Sequence, residues 1–150
     1  MGSASTDPVR FRRVAQTVRV IGIVSSGFVA LTAISGGAEL VTGWPREQPP
    51  EWLDGTPFDS YVVPGLLLGG VVGGTSAVAA WGAATGSRGW PAYVGLAGVV
   101  LTGWTVTEVA VLSQPEAPTP VEWFYSGLGL VMVALGAAGS RVRDTGQGSL

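Results

Sequence analysis

The chain has 150 residues, with eight Arg, ten acids, no Lys, His or Cys, and a formal net charge of −2. Charged residues make up 12% of it, about half the share of an ordinary soluble domain, and the mean hydropathy is +0.42. These absences exclude thiol and iron–sulfur chemistry, imidazole ligation of haem or metal, His general-base catalysis and Schiff-base cofactors.

Four long uncharged runs remain: Val20–Ala38, Ser60–Ser87, Gly89–Thr107 and Trp123–Ser140. A bilayer core needs about 20 mainly apolar residues in a helix, and none of the runs alternates with the period of a half-buried strand. The expected fold is therefore all-α: a polytopic membrane protein, one domain, an antiparallel four-transmembrane-helix bundle. In chain order, Asp7-Pro8 opens the first helix, with an acidic N-cap and Pro at the first helical position. Its apolar part covers about 20–41 and ends at Thr42-Gly43-Trp44-Pro45. Residues 43–60 form a Pro-, Trp- and acid-rich loop, the longest connection. Span two covers about 61–84, with Pro64 in its first turn, where no intrahelical bond is lost. Span three covers about 91–112, and a short connection follows at 113–118. Thr119-Pro120-Val121-Glu122 has capping-box spacing and opens span four, about 120–140, before a polar tail at 141–150.

Arginine sets the expected direction. Arg10, Arg12, Arg13, Arg19, Arg88, Arg141 and Arg143 fall on one side of the spans, and Arg46 alone on the other. By the positive-inside rule, both termini are expected in the cytoplasm, with the 43–60 loop outside. Formal charge then divides as +5 inside and −7 outside. Trp44, Trp52 and Trp123 fall near the outer boundary and Trp81 and Trp90 near the inner one, as aromatic belts do. Arg19 is expected to snorkel to the inner headgroups. No signal peptide is expected, since the first apolar run is long and lacks a small-residue cleavage site followed by a soluble domain.

Span two carries Gly65, Gly69 and Gly73 at i, i+4 and i+8, with Gly70 and Gly74 beside them. Such a stripe lets membrane helices approach closely. It fits packing within the bundle and also a homo-oligomer contact. No Gly-rich stretch is followed by Lys-Ser/Thr, so a phosphate-binding loop is absent.

The chemistry-bearing residues gather at the outer end. Glu108 lies within span three, roughly 6–8 Å from its outer end at 1.5 Å per residue, with Trp104 at i−4 on the same face. An intramembrane carboxylate is a functional-site hypothesis by default, and a helix C-terminus adds an unfavourable dipole. Glu39 shares both features at the end of span one. Asp59 precedes span two, Glu122 opens span four, and Arg46 is the one cation on that side. Glu108, Glu39, Asp59, Arg46 and Trp104 are thus the candidate ion- or ligand-binding set, with Arg46 an expected partner of Glu108 or Glu39. The loop reads as a lid, with Trp52, Leu53 and Phe58 as apolar anchors and Pro45, Pro49, Pro50 and Pro57 stiffening the chain between them.

The stretch Trp52-Leu53-Asp54-Gly55-Thr56-Pro57-Phe58, then Asp59, Tyr61 and Pro64-Gly65-Leu66-Leu67-Leu68, resembles a segment of small four-helix integral membrane proteins. These are often actinobacterial and known only as hypothetical proteins. Their pattern is a W-L-x-G-x-P-F loop followed by P-G-x-x-L at the second span. The resemblance implies the four-span fold and assigns no catalytic residue.

The expected function is non-enzymatic, a scaffold or accessory subunit of a membrane assembly. The alternatives are a small oligomeric proton or cation transporter using the outer carboxylates, and a lipid- or quinone-binding protein with Trp104 against its ligand. No cofactor, metal or catalytic residue is expected. The expected partners are the lipid bilayer and either a second copy or a larger membrane complex, with no nucleic acid.

Overall fold

The computed structural model describes residues 8–112 and 117–147. Four long helices follow one another: α1, Pro8–Thr42; α2, Val62–Ala84; α3, Trp90–Val111; α4, Pro120–Gln147. All four are long and apolar enough to cross a membrane, so the chain is a small four-helix membrane protein. The expected N-cap Asp7, Glu116 and most of the 113–118 connection lie outside the described residues.

Side-chain placement fits lipid surroundings. Large apolar residues face outward: Leu31 is 72% exposed, Val24 65%, Leu130 62% and Leu66 61%. A soluble bundle would bury them. The interior instead holds Val29, Val72, Ala79, Val94, Ala97 and Met132, each 0–1% exposed, with Ser25, Ser26, Ser76 and Thr105 among them. Several hydroxyls along the spans turn back to their own helix, as Thr105 does to the Leu101 carbonyl at 2.9 Å and Thr102 to Gly98 at 2.9 Å, whereas the buried hydroxyls of Ser26 and Ser76 have no partner among the described residues. Such back-bonding satisfies a polar group without a partner helix.

Each helix lies beside its chain neighbours. The most extensive contacts join α1 to α2 and α3 to α4, and the ring closes through α2–α3 and α1–α4. Among the described residues α2 and α4 do not touch. Both pairs run antiparallel with glycine at the crossing. A Cβ on Gly37 would lie 2.5 Å from the Gly65 carbonyl oxygen and 2.6 Å from the Gly69 nitrogen. In the second pair, a Cβ on Gly98 would lie 2.5 Å from the Gly129 oxygen, and one on Gly136 2.6 Å from the Pro91 oxygen. Backbones thus meet directly. In lipid, where apolar burial gives helices little reason to associate, such close van der Waals contact holds them together.

The span-two stripe therefore has an occupant, α1. Gly65 and Gly73 are closed off, but a Cβ on Gly69 would meet only ordinary contacts at 3.7 Å or more. Gly69 contributes by exposing its backbone to Gly37. Two features depart from the sequence expectations. Residues Leu67–Gly73 widen into π-type hydrogen bonding, in a stretch whose three glycines offer little steric resistance. The helix of α4 also runs on to Gln147 where a polar tail was expected; no Pro or Gly falls between Ser140 and Gly146 to stop it.

At the arginine-rich end, α2 closes in a Schellman turn. Gly86 takes a left-handed φ of +69°, Ser87 N–H donates to the Gly82 carbonyl at 2.9 Å and Gly86 N–H to Ala83 at 3.2 Å. Arg19 reaches across from α1 to the last carbonyls of that helix: its Nε donates to Ala83 O at 2.6 Å and its Nη2 to Ala84 O at 2.7 Å. Arg19 is thus a helix cap, not a free side chain extended to headgroups. The dipole of α2 favours a cation there.

Candidate functional site

At the opposite end the four helices diverge around a two-lobed vestibule. One lobe, of about 240 Å³, lies between α1, α3 and α4, with Thr32, Thr105, Val121, Glu122 and Tyr125 in its wall. The other, of about 200 Å³, lies between α1, α2, α3 and the loop, with Glu39, Gln48, Trp52, Tyr61 and Pro64 in its wall. Gly36, Leu68, Trp104 and Glu108 border both lobes. The pair singled out by i, i+4 spacing on span three is therefore the partition between them.

The Trp104 indole and the Glu108 carboxylate lie close enough to interact on this partition. The carboxylate keeps acceptor capacity on both sides of the partition, since ionised it offers about four lone-pair sites. Glu122 is 9% exposed and held by the expected capping box: its carboxylate accepts the Thr119 backbone N–H at 2.6 Å and the Thr119 hydroxyl. The cap fixes the carboxylate at the mouth of the first lobe, close enough to Glu108 for their charges to interact. Glu39, one turn from the end of α1, faces the second lobe.

Two expected members are elsewhere. Asp59 and Arg46 are exposed and border neither lobe. Among the described residues Arg46 forms no ion pair with Glu39 or Glu108, and no arginine borders the vestibule. Glu122, which the sequence offers both as a cap and as an acid at this end, borders the first lobe. Tyr61 and Tyr125 were not singled out from the sequence, because their place in the walls is set by the loop and α4 rather than by local spacing.

The loop lies over the second lobe. A short 3₁₀ turn, Pro50–Leu53, buries Leu53 at 8% exposure and turns Trp52 into the cavity. The Tyr61 hydroxyl donates to the Pro49 carbonyl at 2.7 Å, tying the loop to the start of α2. Burial, and secondarily the charge of Glu51, pushes the Tyr61 hydroxyl above the usual tyrosine range. This tie is therefore fully present below about pH 10 and is lost only as pH rises through the raised value. Below the vestibule the bundle axis is filled by Val29, Val72, Val94 and Met132. The vestibule is a blind recess of carboxylates and aromatic rings. Among the described residues no three acids converge closely enough to hold a metal ion.

No protein-family model, curated protein or solved structure matches the chain.

Proposed function

We propose that this is a non-enzymatic accessory protein of the membrane whose vestibule holds a small organic cation, an ammonium or substituted ammonium group. The observation that carries the reading is the Trp104–Glu108 partition, with Glu39 and Glu122 on either side and no arginine in the wall. A carboxylate attracts the charge, while aromatic faces favour a weakly hydrated cation over a fully hydrated ion, by about 2 kcal/mol where the site is desolvated. The spacing of the acids disfavours a bare metal ion, which needs convergent oxygens at short range. The packed axis disfavours a transport path through one copy of the chain, so the transporter reading would require an oligomer. By the arginine split, the vestibule faces the outside and both termini the cytoplasm. Cysteine placed at Thr56 then reacts with an impermeant thiol reagent in intact cells, and cysteine at Ser140 does not.

The test is a titration of the protein in neutral-lipid nanodiscs with tetramethylammonium chloride against sodium chloride at equal ionic strength, read by thermal stability and tryptophan emission. The expected result is saturable stabilisation by tetramethylammonium, weakened about tenfold or more in Glu108→Gln and in Trp104→Leu. A response equal to that of sodium, or one unchanged in Glu108→Gln, overturns the proposal.

A further inference from the structure

At the arginine-rich end, two helices stop and two continue. The turn between α2 and α3 ends the bundle at residues 85–89, whereas α1 begins at Pro8 and α4 runs to Gln147. Arg19 marks the level of the turn on α1, so the residues before it rise about 16 Å further at 1.5 Å per residue. The overrun leaves a notch of about 400 Å³ above the start of α3. Arg12, Gln16 and Arg19 line it from one face of α1, Arg143 from α4, and Trp90 from α3. Ala15, Val18, Gly139 and Val142 make up the rest of the wall, and no carboxylate borders the notch. Asp144 is exposed and outside it.

The three guanidiniums are not equivalent. Arg19 is fixed by the Ala83 and Ala84 carbonyls, which use two of its five N–H donors and offset part of its charge. The uncompensated positive charge of the notch therefore rests on Arg12 and Arg143, which come from different helices. A planar, forked guanidinium on each side suits a tetrahedral phosphate between them. The apolar part of the wall and the Trp90 ring suit what is attached to a phosphodiester in a membrane: glycerol and the start of acyl chains.

We infer that this notch binds the phosphate headgroup of one anionic phospholipid. The lipid, rather than a free anion, is the fitting source because the opening lies where the apolar spans end, and because half the wall offers nothing to inorganic phosphate. Basic recesses between helices at that depth are suited to anionic headgroups, with each basic residue contributing about fivefold in affinity. The site is separate from the vestibule and does not depend on what the vestibule binds.

The test compares wild type, R12Q/R143Q and R10Q/R13Q in nanodiscs of phosphatidylcholine with a minor fraction of phosphatidylglycerol. Native mass spectrometry reads the lipids retained on release, and thermal melting in phosphatidylcholine alone confirms folding of each variant. Arg10 and Arg13 border no part of the notch, so R10Q/R13Q removes the same total charge at the same end of the bundle and leaves the notch intact. Wild type and R10Q/R13Q are expected to retain one phosphatidylglycerol per chain, with R12Q/R143Q weakened about twentyfold; added inorganic phosphate should not displace the lipid. Equal weakening of both double variants would reduce the effect to diffuse surface charge and overturn the inference. Displacement by millimolar inorganic phosphate would overturn the lipid assignment in favour of a free-anion site. If R12Q/R143Q fails to fold, R12K/R143K keeps the charge without the forks and is expected to retain the lipid more weakly than wild type. Undiminished retention there would contradict the guanidinium geometry.

Discussion

The seams inside the two helix pairs and the space between the pairs are built differently. Within α1–α2 and α3–α4, glycine faces backbone, and the helices come so close that a single methyl group has no room at Gly37 or Gly98. Between the pairs, side chains keep the helices apart. Val29, Val72, Val94 and Met132 fill the middle, and Trp104, Glu108, Tyr125 and Leu68 hold the loop end open. The contrast teaches where a small membrane bundle can afford a recess. Cohesion comes from backbone contact in the seams, so the axis between them is free to carry polar groups that contribute little to stability.

The largest effect should come from breaking a seam. Gly37→Leu forces a side chain into the backbone of α2 and is expected to destabilise the protein by about 1–3 kcal/mol or more, measured by denaturation in mixed micelles. Gly69→Ala, one contact away on the same seam, finds 3.7 Å of clearance and should melt like wild type. Equal losses at both positions would show that close approach does not set the cost, since helix propensity favours both substitutions.

A smaller loss is expected where Arg19 of α1 caps the end of its own seam partner, α2. Arg19→Gln removes two charge-assisted hydrogen bonds to Ala83 and Ala84 and should cost about 1–2 kcal/mol after allowance for its partial exposure. Hydrogen exchange should rise at residues 83–87 while the seams stay protected. Exchange that rises evenly along α2 would show that Arg19 supports the whole helix instead of its end.

The smallest effect belongs to the lid. Tyr61→Phe deletes only the hydroxyl bond to Pro49, a loss of about 1 kcal/mol. It should quicken exchange over residues 49–56 with little change in melting temperature below pH 10. Wild type should come to resemble the variant only as pH rises past the raised Tyr61 value, because the tie needs the protonated hydroxyl. Convergence near neutral pH would contradict the burial of that group.

Local chemistry was readable from the chain, and distant pairing was not. The uncharged runs located the spans, and Thr119–Glu122 spacing gave the α4 cap that the hydrogen bonds display. The i−4 relation of Trp104 to Glu108 identified the centre of the vestibule. Arg19 misled, because its acceptors are 64 and 65 residues away and nothing near it in sequence competes with lipid headgroups. Gly37 was overlooked because α1 lacks a repeating stripe; its importance comes from meeting Gly65 and Gly69. Asp59 falls outside the vestibule and Glu122 inside it for a related reason. Both begin a helix, but only the capping box turns Glu122 inward, whereas Asp59 stays in the exposed approach to α2.

The central claim is that the vestibule selects cations, and the absence of cysteine makes it directly measurable. Gly36 borders both lobes, and a Cβ there meets only the end of Leu68 at 3.4 Å. In Gly36→Cys, a positively charged methanethiosulfonate should react about tenfold or more faster than a negatively charged one of similar size, since even one carboxylate at 4 Å is worth about 4 kcal/mol before screening. Tetramethylammonium should slow the reaction, and the preference should collapse when Glu108→Gln is added. Equal rates for the two reagents, or a preference unchanged by Glu108→Gln, would contradict the account.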